Sequence, residues 1–135
     1  MSDLLSGSCF CGAIKLTAIG SPQYVVNCHC TRCKKRNGSA FSTYVAVEHK
    51  NLEIMKGEKI LSTFEIHNSG RKLFCSNCGT PIYQQNNKIK GISLIYIGII
   101  DDEHLYTPQM NVYTSTKSKW IADISEQICY EGSPN

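Results

Sequence analysis

"NCHCTRCKKR", residues 27–36, places Cys28, Cys30 and Cys33 within six positions and makes four of the five residues 32–36 cationic. Thiols one or two residues apart are poorly placed to bond each other, but they can share a tetrahedral cation. The stretch therefore reads as part of a metal shell, and the fold turns on where the remaining ligands lie. Two further groups answer: "CFC" with Cys9 and Cys11, and "CSNC" with Cys75 and Cys78. Seven of the eight cysteines fall in these groups and Cys129 stands alone.

The opening "MSDLLSGS" has neither a basic head nor an apolar run of signal-peptide length. A reducing, cytoplasmic setting is expected, and there metal ligation explains clustered cysteines better than disulfides do. The longest nearly unbroken apolar run, "ISLIYIGII" at 92–100, falls far below the roughly 20 residues that cross a bilayer, so a soluble protein is expected. With 41% hydrophobic and 19% charged residues, the chain is globular rather than disordered or fibrous. Its 135 residues suit one domain, taken as 1–135. The formal charge is +3, but seven thiolates around two divalent ions would bring the balance to about zero, so it says little for nucleic acid.

Outward from the cysteines the chain reads as β. Segments 13–19, 24–27, 41–47, 52–57, 60–66, 71–75, 81–86 and 92–100 are short, rich in branched or aromatic residues, and punctuated by Gly, Asn, Ser and Pro. A sustained helical period is missing. "TRCKKRNG" fits either one or two helical turns ended by Gly38 or a plain surface loop. A short strand is expected at 110–114, with Trp120 packing back on the sheet.

A structural zinc takes four protein ligands and a catalytic zinc typically three, so seven sulfurs divide as four and three. Spacing alone also permits a zinc-ribbon pairing of Cys30 and Cys33 with Cys75 and Cys78. Gly12 and Gly79 directly follow the second cysteine of their groups, where a tight turn aims backbone N–H groups at sulfur. Cys33 is followed by Lys34 and lacks that turn. This favours Cys9, Cys11, Cys75 and Cys78 as one structural site and leaves Cys28, Cys30 and Cys33 as a trio from one segment. Either the trio keeps a position for an incoming thiol, or His29, Cys129 or another side chain completes it. His29 is expected to turn outward and not to ligate. His49, His67 and His104 are expected at the surface, "DDEH" at 101–104 as a turn, and Cys129 as a small buried apolar residue.

"GSCFCGAIKL", "NCHCTRCKKRNGSAF", "RKLFCSNCGTPIY" and the late "TPQMNVYTSTKSKW" resemble, in order and spacing, the glutathione-dependent formaldehyde-activating enzyme family, which includes the centromere protein V type. The resemblance runs from Gly7 to Trp120. It implies a mainly β, Mss4-like fold of short antiparallel strands organised around two zinc sites. Cys9, Cys11, Cys75 and Cys78 would hold the structural ion and Cys28, Cys30 and Cys33 the catalytic one. It further implies a carbon–sulfur lyase that joins glutathione and formaldehyde. Relatives often read Pro-x-x-His-Ile where this chain has "PQMNV", so Asn111 replaces a titrating residue by one that only donates and accepts hydrogen bonds.

The expected partners are a glutathione-like thiol, with Arg32 and Lys35 facing its anionic groups, and a small aldehyde, with water, Tyr44 or Tyr113 handling the proton. The alternative is a non-catalytic zinc scaffold that binds a protein or nucleic acid through the basic loop.

Overall fold

The computed structural model describes residues 4–135. Its ten strands are β1 (Leu4–Ser8), β2 (Lys15–Ile19), β3 (Tyr24–Cys28), β4 (Ser42–Glu48), β5 (Leu52–Lys56), β6 (Leu61–Ile66), β7 (Gly70–Cys75), β8 (Pro81–Asn86), β9 (Ile92–Tyr96) and β10 (Met110–Val112). A single α-helix among the described residues, α1 (Thr31–Asn37), leaves β3 directly after the cysteine stretch. One sheet has the order β1-β2-β5 and the other β10-β3-β4-β9-β8-β7-β6. All neighbours are antiparallel except β10, which runs parallel to β3.

Strand alternation gives the large sheet two working faces. Val25, Val45, Ile95, Tyr83 and Leu73 lie opposite one another across β3, β4, β9, β8 and β7. They pack in one buried cluster with Leu5, Leu16 and Ala18 of the small sheet. The alternate positions, Tyr24, Val26, Cys28, Tyr44, Ala46, Leu94 and Tyr96, form a second cluster with Cys33 of α1. One face is thus structural core, and the other carries the cysteine trio.

The helix exists because its ends are capped. Cys30 takes the N-cap position and its Sγ accepts from Cys33 N at 3.2 Å, while Gly38 ends the helix in the left-handed conformation at φ 61°. Lys34, Lys35 and Arg36 sit in the last turn, where the helix dipole favours cations.

Several boundaries differ from the sequence reading. β1 was absent from it because "LLSGS" offers little branching, and the strand is held by full pairing with β2. Residues 12–14 turn before β2, and the run 92–100 breaks after Tyr96 into a 3-10 turn, Ile97–Ile99. β10 stops at Val112 because Tyr113 adopts a left-handed backbone, φ 57°. Beyond it the chain leaves the sheets. Trp120, in the 3-10 segment Lys119–Glu126, is half exposed rather than part of the buried core. Cys129 is exposed rather than buried, its thiol donating to the carbonyl of Gln127 at 3.2 Å. "DDEH" does form a turn, running into the 3-10 turn Glu103–Leu105. No helix among the described residues is long and apolar enough to cross a membrane.

The two sheets are joined where Gly7 bridges Ile100 and Asp101 N donates to Ser6 O at 2.9 Å. A Cβ on Gly7 would lie 2.7 Å from Ile99 O. Gly7→Ala should therefore spread this junction and cost about 1–3 kcal/mol in a denaturant titration.

Candidate metal centre and its cavity

The seven clustered sulfurs separate in space into four and three. The ligand atoms of Cys9, Cys11, Cys75 and Cys78 all lie within 4.8 Å of one another, as do those of Cys28, Cys30 and Cys33. A tetrahedral zinc with sulfur at 2.3 Å needs sulfurs about 3.8 Å apart. The separations of 3.5 Å for Cys9–Cys11 and 3.9 Å for Cys11–Cys75 fit that shell. The zinc-ribbon pairing of Cys30 and Cys33 with Cys75 and Cys78 is not how the chain folds.

The four-sulfur site joins the β1–β2 turn to the β7–β8 turn. Gly12 and Gly79 both take positive φ, 76° and 81°, and their N–H groups donate to the carbonyls of Cys9 and Cys75. The turns free other donors for sulfur: Ile14 N to Cys9 at 3.3 Å, and Cys78 N to Cys75 at 3.4 Å. Asn77 Nδ2 reaches Cys11 at 3.3 Å, and this bond is the first cause lowering the Cys11 thiol. The hydroxyl of Thr80, 3.1 Å from Cys78 Sγ, leads in drawing that thiol down to about 5. Donors on every side suit thiolates.

The trio is built differently. Cys28 ends β3, Cys30 caps α1 and Cys33 sits on its inner face. Tyr44 Oη donates to Cys33 Sγ at 3.4 Å, and Arg36 Nη2, one helical turn further on, donates to it at the same distance. Cys33 is drawn down to about 5, first by the hydrogen bond from Cys28, against burial, with help from Tyr44, Cys30 and the Arg36 charge. That same bond and burial push Cys28 up. Burial likewise pushes Tyr44 up, so its hydroxyl stays a donor.

Around this pair runs a connected polar set. Asn37 Nδ2 donates to Ser42 Oγ (2.8 Å) and Tyr44 Oη (3.3 Å), and Tyr96 Oη donates to Asn37 Oδ1 (2.8 Å). Gln84 Oε1 accepts from Tyr96 (3.2 Å) and Arg36 (3.4 Å). No carboxylate pairs with Arg36 among the described residues. Three thiolates around a divalent cation would carry one net negative charge, and Arg36 supplies the counter-charge. The donor set fits a zinc.

His29 does not turn outward. It is 1% exposed, its ring tilted on Phe41 with centroids 5.1 Å apart. Asn111 Oδ1 accepts from Asn27 Nδ2 at 3.2 Å and lies 2.9 Å from His29 Nε2. An amide oxygen can only accept, so Nε2 donates to it, and the buried Nδ1 has no hydrogen-bond partner. Neither ring nitrogen belongs to the sulfur trio. Asn111 is therefore the partner that fixes a buried imidazole. His49 is half buried rather than exposed, its Nδ1 2.7 Å from Ser93 Oγ; His67 and His104 are exposed.

The trio opens on a cavity of about 490 Å³, within the range that holds small-molecule ligands. Of the cations expected to face a substrate, Arg32 lines the cavity and Lys35 does not. Lys34 instead ties α1 to the late segment, donating to the carbonyl of Thr116. Arg36 and Lys88 line the cavity, and no Asp or Glu does among the described residues. The i, i+3 spacing of Cys33 and Arg36 on a helix was the signal that could have singled out Arg36. Gln84, 5% exposed, stands in β8 beside Gln85 and Asn86, so no local pattern in the sequence marked it as the buried member of the polar network.

With this geometry in place, the comparisons with known proteins agree. The family of glutathione-dependent formaldehyde-activating enzymes matches residues 4–116, and the chain belongs to that family. A Halomonas elongata protein named "Putative glutathione-dependent formaldehyde-activating enzyme" is 22% identical over 142 residues, covering 98% of this chain and 90% of that protein. A Schizosaccharomyces pombe protein named as an uncharacterized lyase is 29% identical over 77 residues, 57% of this chain and 54% of its own length. The crystal structure of a Rhodobacter sphaeroides protein superposes with a TM-score of 0.63 at 17% identity, covering 78% of this chain and 98% of that one. At that identity the likeness is one of fold.

Two substitutions test the site's construction. Tyr44→Phe removes a donor to Cys33 and should weaken zinc binding at the trio about tenfold, read by chelator competition, with the four-sulfur site unchanged. Asn111→Ala removes the fixed partner of His29 and should cost about 1 kcal/mol in denaturant unfolding.

Proposed function

We propose that the chain is a zinc-dependent enzyme of carbon–sulfur lyase type that condenses a low-molecular-weight thiol such as glutathione with formaldehyde or another small aldehyde. The observation that carries this reading is the sulfur trio, with no fourth ligand from His, Cys, Asp or Glu among the described residues, standing at the wall of a cavity that those residues line with cations and no acid. Family membership over residues 4–116 supports it.

Cys28, Cys30 and Cys33 would hold the catalytic zinc, and Cys9, Cys11, Cys75 and Cys78 the structural one. Bound at the trio, the metal supplies a Lewis acid that keeps an added thiol ionised near neutral pH. The chain's own residues do the rest. Arg32 and Lys88 draw an anionic thiol into the cavity. Arg36 and Tyr44, each 3.4 Å from Cys33 Sγ, hold that sulfur in place and withdraw charge from it. Tyr44 is thereby committed to Cys33. The proton needed at the aldehyde oxygen then falls to water or to the hydroxyl of Tyr113, which stands in the cavity lining.

Residue roles follow from burial and connectivity. Cys28→Ser should abolish thiol-dependent aldehyde consumption while circular dichroism and the melting transition change little. Cys75→Ser should leave the chain unfolded, because a structural zinc contributes on the order of 10 kcal/mol to folding. Retained turnover in Cys28→Ser would sink the reading.

A further inference from the structure

The register of the large sheet puts a hydrocarbon wall beside the trio. Tyr24, Val26 and Cys28 share one face of β3. Met110 and Val112 of β10 stand opposite Val26 and Cys28, and Ala46 separates Tyr24 from Leu94 across β4. Tyr24, Val26, Leu94, Met110 and Val112 all line the cavity. Val26 and Leu94 are buried, whereas Met110 is 41% exposed. The rest of the lining is mostly polar, carrying the amides of residues 84–87 and of Asn68 beside Ile66 and Ile89.

Neither partner in the proposed condensation uses that wall. Glutathione is a peptide with two carboxylates, which match the amides and cations, and formaldehyde has no hydrocarbon beyond its single carbon. An apolar surface of this kind beside a reactive site is a binding feature, because water against it is unfavourable.

We infer that the carbonyl partner, or the thiol adduct that the site releases it from, carries an apolar chain of several carbons lying along Tyr24, Val26, Leu94, Met110 and Val112. The inference rests on the thiol–aldehyde reading above and narrows its substrate class. The reaction balances without a further reagent. The thiol sulfur adds to the aldehyde carbon, the carbon–oxygen π bond opens, and the proton from sulfur ends on the oxygen as a hemithioacetal. The reverse step breaks the same carbon–sulfur bond and returns aldehyde and thiol.

The test is calorimetric binding of S-methyl-, S-butyl- and S-hexylglutathione to the purified metal-loaded protein. These thioethers have no thiol to ionise, so the chain-length dependence reports on the wall rather than on turnover. Burial of each methylene corresponds to about a fourfold gain, and a total gain of at least about 30-fold from methyl to hexyl is expected. Met110→Gln, uncharged and of similar size at a partly exposed position, and the isosteric Val112→Thr should each flatten the ladder while S-methylglutathione still binds. A flat ladder in the unaltered protein, with S-methylglutathione bound, overturns the inference and leaves the thiol reading standing. A full ladder in both variants overturns the assignment of this wall. Failure of glutathione and all three thioethers to bind overturns the thiol reading and the inference with it.

Discussion

Four sulfur atoms from the β1–β2 and β7–β8 corners converge within 4.8 Å of one another. Cys9 and Cys11 follow β1, Cys75 ends β7 and Cys78 lies in the turn before β8, so the closure spans 64 residues from Cys11 to Cys75. It brings one corner of the small sheet against the large one, with Ile14, Cys75 and Ile82 fully buried around it. Thiolates at this spacing repel unless a cation neutralises them, so the ion that the site suits would serve both as cross-link and as charge balance. The two turn glycines matter because a left-handed backbone lets the chain reverse sharply enough for amide hydrogens to face sulfur.

With that corner fixed, the division of labour within the large sheet follows from strand alternation. Each of β3, β4 and β9 gives one set of side chains to the common core and the other to the cavity face. A one-residue slip of β3 would bring Val25 and Asn27 to the cavity and send Cys28 into the core. The site is as secure as the register. The register is held on both sides, by full pairing of β3 with β4 and by β10 together with the preceding Gln109, whose Oε1 accepts from Val25 N at 2.8 Å.

The β character, the two sulfur groups and the tight turns at Gly12 and Gly79 were legible in the sequence, because each is a local pattern with a local physical cause. The helix at Thr31–Asn37 was only half legible. Seven residues are too few for a periodic signal, and its stability comes from the Cys30 cap and from the packing of Cys33. His29 was misread because neighbouring cysteines say nothing about the residue 82 positions later that meets its ring. Cys129 and Trp120 were expected inside on the strength of residue type alone, yet they sit on a stretch where the chain has left the sheets. The cavity wall was invisible for the same reason as the Asn111 contact: β10 joins β3 in parallel, and a parallel partner from far down the chain leaves no hairpin signal.

That parallel edge sets an order of events. Cys28, Cys30, Cys33 and their helix span ten residues and leave the ribosome together, whereas Met110 and Val112 follow more than seventy residues later. A nascent chain thus presents its sulfur trio open along one flank until nearly the whole protein has been made. The flank closes only when the last strand slots in beside the first residues of the large sheet.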